Sequence, residues 1–274
     1  MPASRSQMMV DKSRKFISFV RLGYAARGLT YLLLGYIAFA TAGDARGGAA
    51  SVYDWLQAVP LGWVLLWVMA LGLLAYAGFK FLSAAGDIQH RGSDALGIAE
   101  RVGDAASGAA HVTLAYAAAQ FAIGARTSVQ GNTSQEVVHS ILSFQFGSLL
   151  IGIAGLGFLT AAAMQAKKAY TAGFMHHVAA RAPGWIRPIG RAGHAARAVV
   201  FGLIGWSLVQ SAWLDRSDKV DGLGGALLAL RGSGGAYLLV ALGLSLFGLF
   251  SLFVARYRII PDFDGAGLVP KFRS

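Results

Sequence analysis

Residues 23–35 read GYAARGLTYLLLG, which opens like a membrane helix and then sets a cation, Arg27, inside it. Two further stretches align with it without a gap: GDAASGAAHVTLA at 103–115 and GHAARAVVFGLIG at 193–205. Positions one, three and four are Gly, Ala and Ala in all three. Position five is Arg27, Ser107 and Arg197, position nine Tyr31, His111 and Phe201, and position thirteen Gly35, Ala115 and Gly205. Residues four apart form one slowly drifting stripe on a helix, so each copy presents the same face.

The second half of the unit also recurs. ALGLLAY (70–76), GLGFLTA (155–161) and ALGLSLF (241–247) carry Gly72, Gly157 and Gly243 at their third positions. Each is preceded by a short segment: SVYDWLQAVPLG (51–62), SQEVVHSILSFQFG (134–147) and GLGGALLALRGSGG (222–235). In the first two, apolar residues return at three- and four-residue intervals (Val52, Trp55, Leu56 and Val59; Val137, Val138, Ile141 and Leu142), the pattern of short amphipathic helices at a membrane interface. The unit is therefore helix, loop, interfacial helix, helix. Two spans return the chain to its starting side, so the repeats are parallel and related by an axis along the membrane normal.

Composition places this unit in lipid. Of 274 residues, 55% are hydrophobic and 14% charged, and the mean hydropathy is +0.54. Soluble domains carry about 25% charged residues. The uncharged runs 55–79, 105–125, 137–166 and 232–255 are each long enough to span a bilayer. Two shorter runs, 28–43 and 198–214, reach spanning length once Arg27 and Arg197 are admitted. The expected fold is all-α: a bundle of six transmembrane helices built from three two-helix repeats in a pseudo-three-fold arrangement. The expected boundaries are a cytoplasmic tail 1–18, repeats at 19–97, 98–184 and 185–258, and a cytoplasmic tail 259–274. Ala40-Thr41-Ala42 resembles a signal cleavage site, but cleavage would remove one of three equivalent helices.

The net charge of +11 follows the same topology. Alternate loops hold 17 Lys and Arg on one side and 5 on the other. By the positive-inside rule both termini are cytoplasmic, with anionic lipid attracted to the basic face. No nucleic-acid motif accompanies the charge. There are no cysteines, hence no disulfides or thiolate metal sites.

On the motif GYAARG, its close copy GHAARA and the more divergent GDAASG, the chain resembles the bacterial membrane proteins catalogued as domain of unknown function 1206. That family looks like three tandem two-helix units with a glycine-alanine-arginine-glycine signature. Ala198 replaces the last glycine in the third copy and Ser107 the arginine in the second. The resemblance spans residues 19–258 and implies the architecture without implying a reaction.

The candidate axis-facing residues are Arg27, Ser107, Arg197, Tyr31, His111 and Phe201. By default the two arginines snorkel to lipid phosphate or pair structurally; otherwise they line an anion-attracting vestibule with Ser107 as its third wall. Asp104 is the expected partner of either arginine, and Lys80 is expected to snorkel. His111 is the best candidate for handling a proton or facing a ligand, and His194 reads as interfacial. Gly35, Gly72, Gly157, Gly205 and Gly243, with Gly152 and Gly155, are read as helix-packing positions. Trp55, Trp63, Trp67, Trp206 and Trp213 suit an aromatic belt. No metal site, cofactor site or nucleophile–base pair is legible, so the chain is not expected to be an enzyme. Two functions remain: permeation or transport of a small solute or ion, an anion in particular, or a non-transporting scaffold that binds a partner or anionic lipid through basic loops. A homo-oligomer is compatible with both.

Overall fold

A computed structural model describes residues 5–40, 49–87, 92–125, 133–220, 222–230, 233, 235–259, 262–263 and 270–271. The elements are α1 (Arg5–Ala40), α2 (Ala49–Gln57), α3 (Gly62–Gly86), α4 (Ala95–Ala122), α5 (Thr133–Leu142), α6 (Gly147–Thr171), α7 (Ile186–Leu214), α8 (Leu223–Ala229) and α9 (Gly235–Tyr257). A two-residue antiparallel pair follows, β1 (Asp262–Phe263) with β2 (Pro270–Lys271). The expectation of an all-helical fold with a short helix inside each repeat holds. The boundary drawn at 18/19 falls inside α1, and Thr41 and Ala42 of the cleavage-like stretch lie outside the described residues.

Local chemistry sets these ends. Asp94 caps α4 by accepting the Gly97 N–H at 3.1 Å. Asp87, Ala172 and Asp215 end α3, α6 and α7 in the left-handed region. The short helices α2 and α5 fold straight back into the long helices that follow. At Gly62 and Gly147 a side chain would collide with the carbonyls of Leu56 and Ile141, so glycine is required at both turns. The buried face of α2 is Val52, Tyr53 and Leu56, whereas Trp55 is exposed. Between α6 and α7 a 3-10 segment, Gly173–His177, is tied to the end of α9. The Ala179 N–H donates to the Tyr257 carbonyl at 2.8 Å and the Ile259 N–H to the His177 carbonyl at 3.0 Å.

Four helices among the described residues, α3, α6, α7 and α9, are long and apolar enough to cross a membrane. Leu71 and Leu74 of α3 and Leu239 and Leu242 of α9 are exposed. The five belt tryptophans are exposed as well. Such faces suit lipid and not water.

The long helices follow one another laterally in chain order. The second helix of each repeat lies along the first helix of the next: α3 on α4, α6 on α7, and α9 on α1. Within the first and third repeats, α1 also packs on α3 and α7 on α9. The second repeat departs from the expected three-fold pattern, because α4 and α6 form no comparable contact. Six helices therefore make an arc with α4 and α6 as its ends. The apolar stretch of α6 is far less buried than those of α3, α7 and α9, as an end helix requires.

The glycines show why. A Cβ on Gly72 would overlap Ala26, and one on Gly23 would lie 2.6 Å from the Tyr76 nitrogen. In the third repeat a Cβ on Gly243 would lie 2.5 Å from Ala196, and one on Gly193 2.6 Å from the Phe247 Cα. Both pairs of helices are thus in backbone contact. At Gly103 and Gly157, the matching positions of the second repeat, a Cβ would meet nothing within 4 Å. The packing role expected of Gly157 is therefore corrected: it is exposed. Gly35 packs against Ala241 and Ser245 across the α1–α9 contact, and Gly205 against Gly155 and Leu159 across α6–α7. Gly152 approaches Ala212 at 3.6 Å.

Candidate functional site

The motif stripe of α1 and α7 turns inward. Arg27 is 8% exposed. One amino group of its guanidinium donates to the Tyr76 hydroxyl and the other to the Ser251 hydroxyl at 3.0 Å. Three rings surround it, with its central carbon 4.8 Å from the Tyr24 centroid, 4.7 Å from Tyr76 and 5.0 Å from Phe247. Arg197 is half-buried. Its central carbon lies 5.4 Å from the Tyr31 centroid, 4.7 Å from Phe201 and 4.4 Å from Phe247. Ring faces carry partial negative charge, each contact being worth about 0.5–2 kcal/mol as water is removed. Aromatic faces and hydroxyls thus replace the carboxylate that would ordinarily neutralise a buried arginine, and neither arginine has a carboxylate partner among the described residues.

Both guanidiniums stand against one ring, Phe247. Their separation is therefore about 10 Å or less, which at an effective dielectric of about 20 is a repulsion of at least roughly 1.7 kcal/mol. The Nε atoms of Arg27 and Arg197 are buried without a hydrogen-bond partner. Arg197 keeps part of its surface open, where Arg27 does not.

His111 completes the row. Its Nδ1 lies 2.7 Å from the Ser107 carbonyl and donates to it, so the free nitrogen is Nε2, which is buried and unpartnered. The imidazole sits 4.5 Å from the Tyr76 ring. On the other flank, Phe158 of α6 packs edge-on against Phe201 at 5.6 Å, and Tyr31 against Phe247 at 5.0 Å. A continuous row results: Phe158, Phe201, Arg197, Phe247, Arg27, Tyr76 and His111, running from α6 to α4 through the interior. Tyr31, His111, Phe201 and the two arginines are thus brought together. Ser107 contributes its carbonyl at the α4 end and stands where the other repeats have arginine.

Three expectations are corrected. Asp104 is taken by Lys80, at 2.5 Å, and by the Ser83 hydroxyl at 3.0 Å, instead of by an arginine. Lys80 accordingly does not snorkel; its side chain is only 13% exposed. His194 is buried, with Nδ1 on the Gln165 side-chain oxygen at 2.5 Å and the ring stacked 5.0 Å from Phe174. These contacts share one position in the repeat. Lys80, Gln165 and Ser251 each lie eight residues past Gly72, Gly157 and Gly243, and each meets the motif of the following repeat, at Asp104, His194 and Arg27 respectively. Each pair ties the second helix of one repeat to the first helix of the next.

Tyr76 and Phe247 were not singled out by the motif. They are the last letters of ALGLLAY and ALGLSLF, and the second copy, GLGFLTA, ends in Ala161. The arginine and its ring are thus lost together in the second repeat.

The model of the family named Domain of Unknown Function (DUF1206) matches residues 22–87, 102–172 and 192–258. The chain belongs to the DUF1206 family. It is 33% identical over 252 residues to an uncharacterized protein of Bacillus subtilis (strain 168), YxxB, covering 88% of this chain and 90% of the relative. No solved structure matches it. Each DUF1206 segment begins inside the first long helix of a repeat (α1, α4 or α7) and ends one residue past the second (α3, α6 or α9), so the matched unit is the helix–short helix–helix module. The seam that breaks the arc lies within the second match.

Proposed function

We propose that this protein binds a small anion at Arg197 and Arg27 inside a six-helix membrane bundle and serves its passage across the bilayer. The observation that carries this reading is the pair of guanidiniums on Phe247 without a carboxylate between them. Two cations confined in a low-dielectric interior repel each other, and an anion bound beside Arg197 would remove that repulsion. Arg197 is the contact residue and Arg27 the second charge behind the shared ring. The unpartnered His111 Nε2 is an additional polar atom at the α4 end.

In this reading α1 and α4 span the membrane beside the four apolar helices. The three repeats derive from a three-fold plan that the second has lost, and the charge bias sets both termini on the cytoplasmic side of the inner membrane. The helix α1 is about 54 Å long at 1.5 Å per residue, well beyond a hydrocarbon core of about 30 Å. Arg27 stands about 20 Å from the C-terminal end of this helix, so with that end at the outer boundary of the hydrocarbon core it lies about 10 Å inside the cytoplasmic one. A second reading, a scaffold on anionic lipid, draws on the segment pinned to α9, around which Lys167, Arg181, Arg187 and Arg191 are exposed.

The test is thermal stability of the detergent-purified protein against phosphate, sulfate, chloride and carboxylates, for wild type and Arg197→Gln. Stabilisation of wild type by one anion, reduced at least about tenfold in apparent affinity in the variant, supports the site. Flux in proteoliposomes then tests passage. An unchanged anion response in Arg197→Gln would overturn the assignment.

A further inference from the structure

The arc is open at one place, and that place faces the bilayer. In the first and third repeats the seam between the two helices is shut by Gly72 on Ala26 and Gly243 on Ala196. In the second repeat the matching residues, Gly157 and Ala106, are both exposed, and a Cβ on Gly157 would meet nothing within 4 Å. The lips of this seam are apolar. One turn from Ala106 and Gly157, on the same helix faces, Val102 of α4 and Ile153 of α6 are exposed. Behind it stand the two ends of the polar row, His111 on α4 and Phe158 on α6, and in the row the partly open Arg197.

A hydrocarbon-exposed cleft does not stay empty in a bilayer. Its walls would forgo their dispersion contacts, and acyl chains are the material at hand. Water is disfavoured, because the lips offer it few polar partners. The inner end has the opposite demand, being cationic without a counter-charge among the described residues. A molecule that satisfies both ends has an aliphatic chain and an anionic head.

We infer that the second-repeat seam is a lateral entrance for an anionic lipid, whose chain lies between α4 and α6 and whose phosphate reaches Arg197. This rests on the anion site proposed above and names its ligand class. It also gives the second repeat's departures one purpose. Ala161 stands where the other repeats have an aromatic ring and Ser107 where they have arginine, so no cation–ring contact among the described residues crosses this seam.

The experiment is native mass spectrometry on the delipidated full chain. The probes are phosphatidylglycerol, phosphatidylcholine with the same chains, and free glycerol phosphate. Wild type is expected to retain one phosphatidylglycerol at least about tenfold more strongly than phosphatidylcholine. Gly157→Leu and, from the opposite lip, Ala106→Leu fill the cleft and should lose that retention while keeping the thermal response to glycerol phosphate. Arg197→Gln should bind the two lipids alike. Should both seam variants hold phosphatidylglycerol as wild type does, the entrance is wrong even if the anion site stands. A response to glycerol phosphate that Arg197→Gln leaves intact would remove the anion site itself. Equal retention of the two lipids by wild type would overturn the assignment of an anionic head.

Discussion

The first and second repeats begin with nearly the same letters and end in different structures. In the first, Gly23 and Gly72 bring α1 and α3 into backbone contact, and Tyr76 receives Arg27. In the second, Gly103 and Gly157 occupy the same places with nothing near them, Ala161 stands for the ring and Ser107 for the arginine. Glycines therefore permit a close approach without producing it. What holds a seam shut is the polar and aromatic lock that crosses it, a cation on one helix seated on a ring of the other. Where both halves of the lock are missing, the helices pack only with their outer neighbours.

The comparison breaks most readily at the closed seams. Gly23→Leu and Gly193→Leu push a side chain into the backbone at Tyr76 and Phe247, and each should cost at least about 3 kcal/mol or prevent folding. Gly103→Leu should change stability by no more than about 0.5 kcal/mol, as an exposed substitution does. A Gly103→Leu variant as unstable as Gly23→Leu would show that α4 and α6 close after all.

Asp104→Asn comes next. It strands the buried Lys80 ammonium in the α3–α4 contact and should cost about 3 kcal/mol. Adding Lys80→Met should recover most of that loss, because both charges are then gone. If the double variant stays as unstable as the single, Asp104 has another role in the seam.

The smallest effect is local and uses the absence of native cysteines. Cysteines at 152 and 212, across the closed α6–α7 contact, should form a disulfide on mild oxidation, since a β-carbon on residue 152 stands 3.6 Å from that of Ala212. Cysteines at 106 and 157 should remain reduced, with stability unchanged. A gel-mobility assay reads both, and a disulfide at 106/157 would close the entrance.

Much of this fold was legible because it depends on periodicity. The triple motif, the stripe of every fourth residue and the short helices at 51–62, 134–147 and 222–235 follow from letters repeated at fixed spacing. Partner choice was less legible. Asp104 is a turn from Ser107, so an arginine of a neighbouring repeat looked the natural mate; Lys80 wins because α3 and α4 lie side by side, and only three dimensions show that. The open seam did leave a trace in the last letters of 70–76, 155–161 and 241–247: Tyr76, Ala161 and Phe247. Taken alone, Gly157 looks like Gly72 and Gly243, since a residue without a side chain carries no record of its neighbour.

The closing of α9 on α1 bears on how such a chain is made. In the proposed topology Arg27 enters the membrane well before its hydroxyl partner Ser251, which lies 224 residues further on, and Phe247 is nearly as late. Throughout synthesis of the intervening helices a guanidinium lacks half of its surroundings, and a charge in hydrocarbon costs several kcal/mol. The first helix must then wait high in the interface, or beside the insertion machinery, until the last one arrives. Truncation anywhere before α9 leaves the arginine exposed, a ready mark by which membrane quality control recognises an unfinished chain.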